Sequence, residues 1–276
     1  MKTFKLSNGI ELPGIGYGTY LSTEGSKGDE AIRMALEAGY RYLDTASFYK
    51  NEEEVGKAVR ESGIPREEIM TASKIWKTEM GYENTLKAFE NSMERLGFDY
   101  LDVYLIHWPY NELSNADWKE TIRETWTAME KLYEEGKVKA IGVSNFLPHH
   151  LDVILNDCKI KPMVNQLELH VGYMQTVAVE YSKKHGIVIQ AWSPLGRKRI
   201  MEEETVVKMA EKYKKSVAEF LLGFLYQQDI MVLPKASNME RIKENLLIDD
   251  FTIDDEDMKF LLCLPQIGWS GEHPDF

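Results

Sequence analysis

A chain of 276 residues that is 43% hydrophobic and 28% charged has the composition of a globular protein and enough length for a sizeable core. Its formal net charge of −12 argues against nucleic acid or an anionic membrane as the main partner. The two cysteines, Cys158 and Cys263, form no CxxC motif, so we expect no disulfide framework, no metal site and a reducing, cytoplasmic location.

The first residues predict a hairpin and not a targeting signal. The segment MKTFKLSNGI lacks the apolar stretch of a secretory signal. In FKLSNGIELP, two short runs flank Ser-Asn-Gly, which strongly indicates a tight turn. We expect this hairpin to cap the bottom of the fold that follows it.

The rest of the chain repeats a short apolar run, a loop and a longer amphipathic segment. Candidate strands end at Gly18, Asp44, Lys74, His107, Ser144, Gln166, Trp192 and Pro234. Near-continuous apolar strands that alternate with helices indicate a parallel sheet covered on both faces. Eight such units in about 250 residues predict an α/β fold, a single (β/α)8 TIM barrel over residues 1–276. Residues 252–276 would add a last helix and a short C-terminal tail.

Helix ends are marked by glycines and by one capping signal. Gly39, Gly97 and Gly136 are placed to end helices in the left-handed conformation. Ser216 and Glu219 have the spacing of a capping box. The following run FLLGFLY, residues 220–226, is far too short to span a membrane.

Two motifs are discounted as functional signals. The segment GIGYG, residues 14–18, lacks the helix opening and the last glycine of GxGxxG, so it predicts the first barrel strand and no Rossmann domain. The adjacent His149 and His150 lie near a helix start, where we expect them to be solvated and not metal ligands.

Polar residues at the strand ends are the candidate catalytic groups, because a TIM barrel carries its chemistry at the carboxyl ends of the strands. Asp44 and Lys74 leave neighbouring strands, so a buried ion pair between them is expected; alone, it would be as consistent with a structural role. Tyr49 follows Asp44, and His107 ends the fourth strand. A phenol has a pKa of about 10 and is a poor acid unless a cation stabilises the phenolate. We expect Asp44 to hold Lys74, and Lys74 to lower the pKa of Tyr49 for general-acid catalysis.

Seven segments carry a family resemblance along nearly the whole chain. They are, in order, DTASFYKNEEEVG, SKIW, YLIHWP, GKVKAIGVSNF, VNQLELH, QAWSPLG and LPKASNMERIKEN. With these motifs the sequence resembles the aldo-keto reductase family. The resemblance implies a catalytic tetrad of Asp44, Tyr49, Lys74 and His107, with Tyr49 as the acid in carbonyl reduction and the base in alcohol oxidation.

The resemblance also implies NADPH as the cofactor. Ser144, Asn145 and Gln166 would hold the nicotinamide amide, and Trp192, where the family more often has Tyr, would stack on its ring. Lys235 and Arg241 would bind the 2′-phosphate. Ala236 stands where the family commonly has Ser, so NADH remains possible as a weaker cofactor. The other implied cofactor contacts are Gly18, Thr19, Tyr20, Asp44, Ser193, Leu195, Gly196, Arg197, Ser237, Asn238, Glu244 and Asn245.

The run Arg197-Lys198-Arg199 has two readings. It is the most basic stretch of an acidic chain, and such a loop is often simply solvated. It also follows the seventh strand, where TIM barrels often bind phosphate, so it could clamp the cofactor.

Aromatic residues past the strand ends predict the substrate pocket. A single aromatic residue is more often part of the core, but four lie beside the proposed acid. The predicted substrate contacts are Tyr20, Phe48, Trp76, His107 and Trp108. Short loops and a brief tail favour an open pocket that accepts several aldehydes or ketones.

Two other functions fit parts of the pattern. A Schiff-base aldolase would use Lys74, but it leaves Asn145, Gln166 and Trp192 without a role. A module that holds NADPH with little turnover, as in the β-subunits of potassium channels, is the second. The intact tetrad favours catalysis on a small carbonyl substrate, with no nucleic-acid or membrane partner, in the monomer that is the family's default.

Overall fold

In the computed structural model, which describes residues 1–22, 29–110 and 116–275, eight parallel strands lie side by side in chain order. An antiparallel pair, β1 (Thr3–Lys5) and β2 (Glu11–Pro13), precedes them. The parallel strands are β3 (Tyr17–Gly18), β4 (Tyr42–Asp44), β5 (Met70–Ile75), β6 (Val103–Ile106), β7 (Ile141–Ser144), β8 (Val164–Glu168), β9 (Val188–Trp192) and β10 (Met231–Val232). The predicted (β/α)8 fold is confirmed, and every predicted strand end lies within two residues of the observed one.

The last strand returns beside the first and closes the barrel. Ile15 and Val232 form a parallel bridge. The amide of Gly16 donates to the carbonyl of Val232 at 2.9 Å, and the amide of Gly18 donates to the carbonyl of Pro234 at 3.0 Å. The carboxyl ends of all eight strands therefore surround one opening, because every neighbouring pair is parallel.

The predicted hairpin caps the amino ends of the barrel strands. Gly9 adopts φ +91° in its turn, a conformation that glycine allows without strain. The side chains of Phe4, Leu6 and Leu12 are buried against residues at the start of the strands, among them Tyr42 and Val103. The bottom of the barrel is thus filled with apolar side chains.

Helices pack around the barrel, and their ends follow the sequence signals. The helices are α1 (Glu30–Ala38), α2 (Glu52–Glu61), α3 (Tyr82–Leu96), α4 (Trp118–Glu134), α5 (Pro148–Leu155), α6 (Thr176–Lys184), α7 (Glu204–Lys212), α8 (Val217–Gln227), α9 (Met239–Glu244) and α10 (Asp255–Leu262). Gly39, Gly97 and Gly136 have positive φ after α1, α3 and α4, as predicted. Ser216 and Glu219 form the predicted capping box of α8. None of the helices in the described ranges is both long and apolar enough to cross a membrane.

Candidate active site

A buried acid and a buried lysine meet at the carboxyl ends of β4 and β5. Asp44 pairs with Ala72 of β5, so Lys74, two residues further on, lies on the same face and nearer the opening. Lys74 Nζ donates to Asp44 Oδ2 at 2.6 Å and to the carbonyl of Thr45 at 2.9 Å. The Lys74 side chain has no exposed surface, so these bonds replace the water that its ammonium group has lost.

Tyr49 and His107 complete the group of four predicted catalytic residues. Tyr49 ends a short 3₁₀ turn, Ser47–Tyr49, which places its hydroxyl oxygen 3.4 Å from Lys74 Nζ. The His107 ring follows β6 and lies edge-on to the Tyr49 ring, with 5.4 Å between the ring centres. Its Nδ1 is buried and has no hydrogen-bond partner in the described part of the chain. A phenol, an ammonium group and an imidazole therefore surround one point above Asp44.

The protonation states at this point are governed by burial. Burial is the largest effect on Tyr49 and, with the Asp44 carboxylate, raises the pKa of the phenol well above 10. The expectation that Lys74 makes the pKa of Tyr49 lower than usual is therefore wrong for this structure. Burial lowers the pKa of Lys74 against the opposing effect of Asp44. Burial and, second, the Lys74 ammonium hold the pKa of His107 well below 6.5, so its imidazole is neutral at pH 7.

The residues predicted to hold a carboxamide form a connected network. Asn145, whose backbone has φ +62°, donates from Nδ2 to the carbonyl of His107 at 3.0 Å. Trp192 Nε1 donates to Asn145 Oδ1 at 2.8 Å, a bond that a tyrosine at this position would have to replace with its hydroxyl. Ser144 Oγ donates to the carbonyl of Gln166 at 2.8 Å. The network fixes the orientation of the Trp192 ring.

Gln190 is a buried polar residue of this network that was not predicted from the sequence. Gln166 Nε2 donates to Asp44 Oδ1 at 2.8 Å and to Gln190 Oε1 at 3.0 Å. Gln190 Nε2 in turn donates to the hydroxyl of Tyr42 at 3.0 Å. The available signal was a glutamine inside the apolar strand IVIQAW, because a buried amide needs partners. Gln190 positions Gln166, which in turn holds Asp44.

One cavity of about 1330 Å³ opens above these residues. Of the predicted cofactor contacts, its walls include Gly18, Tyr20, Asp44, Ser144, Asn145, Gln166, Trp192, Ser193, Leu195, Arg197, Lys235, Ala236, Ser237, Arg241, Glu244 and Asn245. Thr19, Gly196 and Asn238 are not among the lining residues. Thr19 is buried and donates to the Asp44 carbonyl, Gly196 is buried, and Asn238 caps α9 by accepting from the amide of Arg241.

Aromatic side chains line the cavity beside Tyr49. Phe48 stacks on Trp76 with 4.0 Å between the ring centres. Tyr20 lies 4.9 Å from the Tyr49 ring, and Trp108 lies 6.3 Å from the Trp192 ring. The five residues predicted for substrate contact all line the cavity, where Phe48 and Tyr20 remain exposed.

The C-terminal tail also lines the cavity, through Gly271, Glu272 and His273. Ser270 is held by the buried carboxylate of Glu168, with its Oγ donating to Glu168 Oε2 at 2.7 Å. Glu272 Oε1 accepts from Arg197 Nη1 at 3.0 Å. Neither acid was singled out from the sequence, because their partners lie 102 and 75 positions away.

His149 and His150 were expected to be solvated, and for His150 this is wrong. His150 is buried, and both histidines place Nε2 3.0 Å from Asp275 Oδ1 of the tail. The amide of Leu147 donates to His150 Nδ1, so the proton of the neutral ring is on Nε2 and points to Asp275. The tail carboxylate thus pairs with both rings, and the His150 ring is also packed against the rings of Trp118 and Phe146.

The comparison with known proteins decides the family. The model of the aldo/keto reductase family matches residues 14–261. The chain belongs to the aldo/keto reductase family. Since the match covers far more than half of its length, the chain is an oxidoreductase of this family.

Relatives and solved structures of the family match over nearly the whole chain. Glyoxal reductase of Bacillus subtilis is 45% identical, covering 99% of this chain and 96% of that protein. The 9,11-endoperoxide prostaglandin H2 reductase of Trypanosoma cruzi is 44% identical, covering 98% of this chain and 94% of that protein. A crystal structure of an aldo/keto reductase from Brucella melitensis has a TM-score of 0.87 at 43% identity, covering 94% of this chain and 98% of that one. An aldo-keto reductase crystallised with NADPH has a TM-score of 0.88 at 32% identity, covering 97% of this chain and 88% of that one.

The aldo/keto reductase cavity fits a nicotinamide dinucleotide. Its walls include the flat Trp192 ring, the His107 ring, whose Nδ1 has no hydrogen-bond partner among the described residues, and the cationic side chains of Lys235 and Arg241. An anionic, phosphate-bearing ligand with an aromatic ring at one end matches this distribution of charge and apolar surface. Tyr49 lines the same cavity.

Proposed function

We propose that the chain reduces aldehydes and ketones to alcohols with NADPH, using Tyr49 as the general acid. The observation that carries this proposal is the meeting of Tyr49, Lys74 and His107 beside Asp44, at a cavity that is also lined by the cationic side chains of Lys235 and Arg241. The relatives named as reductases and the family member bound to NADPH support the same class of reaction.

The cofactor would be held along the cavity. Trp192 offers a flat ring for stacking, and Asn145 and Ser144 lie beside it to bind a carboxamide. Lys235 and Arg241 would bind the 2′-phosphate, which is the basis of a preference for NADPH over NADH. When bound, the cofactor supplies the hydride, and the protein contributes position and electrostatics.

Tyr49 would give the proton to the substrate oxygen. Its raised pKa keeps the phenol protonated before the reaction. The carbonyl oxygen of the substrate becomes a base strong enough to take this proton only as the hydride is transferred. The phenolate that remains faces Lys74 Nζ at 3.4 Å, an attraction on the order of 5 kcal/mol at an effective dielectric constant of about 20. Lys74 therefore stabilises the product form of Tyr49, and Asp44 keeps Lys74 charged at that place.

His107 would orient the carbonyl group. Its low pKa leaves the imidazole neutral, so the ring positions the substrate oxygen by a hydrogen bond and does not compete with Tyr49 for the role of acid. Phe48, Trp76 and Trp108 would enclose the apolar part of the substrate. These walls are apolar and partly open, which favours several small carbonyl compounds over one bulky substrate.

The Schiff-base alternative loses support from the burial of Lys74. An amine that forms a Schiff base has to reach the carbonyl carbon. Lys74 is fully buried, is engaged by Asp44 and Thr45, and is not among the residues that line the cavity.

The test is a comparison of Tyr49→Phe with the wild type. NADPH oxidation is followed on small aldehydes, ketones and dicarbonyls including glyoxal, with NADH in parallel. We expect Tyr49→Phe to keep its fold and NADPH affinity and to lose about 10²- to 10⁴-fold in reduction rate. Tyr181→Phe is the matched control, since that phenol bonds Asp152 on the outer helices. Normal reduction by Tyr49→Phe would refute the assignment, and NADPH binding without turnover by the wild type would indicate a cofactor-holding module.

A further inference from the structure

Arg197 is bound to the C-terminal tail at the edge of the cavity. Its backbone has φ +50°, and its guanidinium carbon lies 5.4 Å from the centre of the Trp192 ring. Its Nη1 donates to Glu272 Oε1 at 3.0 Å. Among the described residues of the loop after β9, Arg197 is the only basic one whose side chain reaches this ring. Its charge is thus neutralised by an acid 75 positions away.

The tail holds Glu272 in place independently of Arg197. On one side of Glu272, the amide and hydroxyl of Ser270 donate to the buried carboxylate of Glu168 at 3.0 and 2.7 Å. On the other side, Asp275 pairs with the buried ring of His150 at 3.0 Å. Glu272 is therefore presented to Arg197 by two separate attachments, and loss of its charge leaves both of them intact.

The Arg197–Glu272 ion pair is easily exchanged for another anion. The two side chains are 34% and 45% exposed, so water already competes for both charges. Pairs of this kind contribute about 0–1 kcal/mol. A diphosphate carries more charge than one carboxylate and offers several acceptor oxygens to a guanidinium group. The two charges also act on Tyr49 in opposite directions, since Arg197 lowers and Glu272 raises the pKa of that phenol, which places both within electrostatic range of the catalytic end.

We propose that Glu272 competes with the cofactor's diphosphate for Arg197, so that cofactor binding transfers Arg197 from the tail to the cofactor. This inference rests on the proposed function and adds to it a residue that acts through Arg197. Glu272 lowers cofactor affinity in the empty enzyme and favours cofactor release after turnover. The exchange concerns the diphosphate, which NADPH and NADH share, and not the 2′-phosphate.

The test measures cofactor affinity and not turnover. The Kd of NADPH and of NADH is determined for the full chain by calorimetry or by quenching of tryptophan fluorescence. We expect Glu272→Gln to lower both values by the same factor, about two- to fivefold, because an exposed ion pair no longer has to be broken. In an Arg197→Met background, the same substitution should leave both Kd values unchanged, since the competing partner is absent.

Glu202→Gln is the matched control. Glu202 lines the same cavity and makes no ion pair in the part of the chain that the structure describes, so its change should alter Kd by less than about 1.5-fold through screened, long-range charge alone. The inference would be overturned if the Kd of Glu272→Gln were unchanged or raised, or if only the Kd of NADPH changed. It would also be overturned if Glu272→Gln had an equal effect in the Arg197→Met background. A wild type that binds neither cofactor would instead refute the proposed function.

Discussion

Removal of the Lys74 ammonium group is expected to cost more stability than any other single change at the site. Lys74→Met keeps most of the aliphatic chain but leaves the Asp44 carboxylate, itself almost fully buried, with Gln166 Nε2 as its one remaining side-chain donor among the described residues. Breaking a buried ion pair in this way costs about 3–5 kcal/mol. Because whole domains are stable by only about 5–15 kcal/mol, this loss is a large part of the total.

A double variant separates the effect of charge from that of packing. Asp44→Asn combined with Lys74→Met removes both charges and keeps an oxygen that can accept from Gln166 Nε2. Because neither charge of this pair remains, we expect the double variant to be about 2 kcal/mol more stable than Lys74→Met alone. Both variants should be inactive in reduction, so only their stabilities distinguish them.

The assay is urea unfolding at pH 7, followed by circular dichroism. Free energies are compared at equal m-values, because a change in m would indicate a changed denatured or native state. A loss of less than about 1 kcal/mol in Lys74→Met, or a double variant no more stable than the single one, would refute the reasoning. In that case water or a rearranged side chain would be compensating Asp44.

Three further predictions test other parts of the structure. The pKa of His107 in the folded chain is well below 6.5, so its contribution to stability is complete above pH 6.5 and is lost as the pH falls. Between pH 6.5 and 5, the free energy of unfolding in urea should therefore fall less for His107→Gln than for the wild type, by up to about 2 kcal/mol. Trp192→Phe keeps a flat ring but removes the bond to Asn145, and the Kd of NADPH should rise about two- to tenfold by fluorescence titration. In Gly56→Ala the new Cβ would lie 2.0 Å from the Leu96 carbonyl oxygen, so we expect a loss of about 1–3 kcal/mol in thermal and urea unfolding where helix propensity alone predicts a gain.

The barrel was predictable because its signals are local. The strands that end near Asp44 and Ser144 are apolar on both faces, and this pattern occurs mainly in covered parallel sheets. Gly97 marked the end of a helix by its own conformational freedom. Once the barrel was inferred, the polar residues at strand ends had to converge, and the contact of Lys74 with Asp44 followed.

The features that the sequence did not predict depend on distant contacts or on the degree of burial. The pKa of Tyr49 is raised chiefly by burial of the phenol and then by the Asp44 carboxylate, and sequence spacing gives the neighbours of a group but not its burial. His150 is buried against Trp118 and Phe146 and pairs with Asp275, 125 positions away. The pairing of Arg197 with Glu272 is equally remote, and Glu272 looks like an ordinary solvated charge in the sequence.

The hairpin and the tail place the two ends of the described chain at opposite ends of the barrel, which matters for fusion and immobilisation. The first residues lie beside the closed end, where Phe4 and Leu12 are buried against the strand starts. The last described residue, Asp275, lies against His150, a short distance along the chain from cavity-lining Glu272. An affinity tag or surface linker attached before Met1 should leave the opening clear, whereas one attached after the tail would be tethered at the entrance through which substrate must pass.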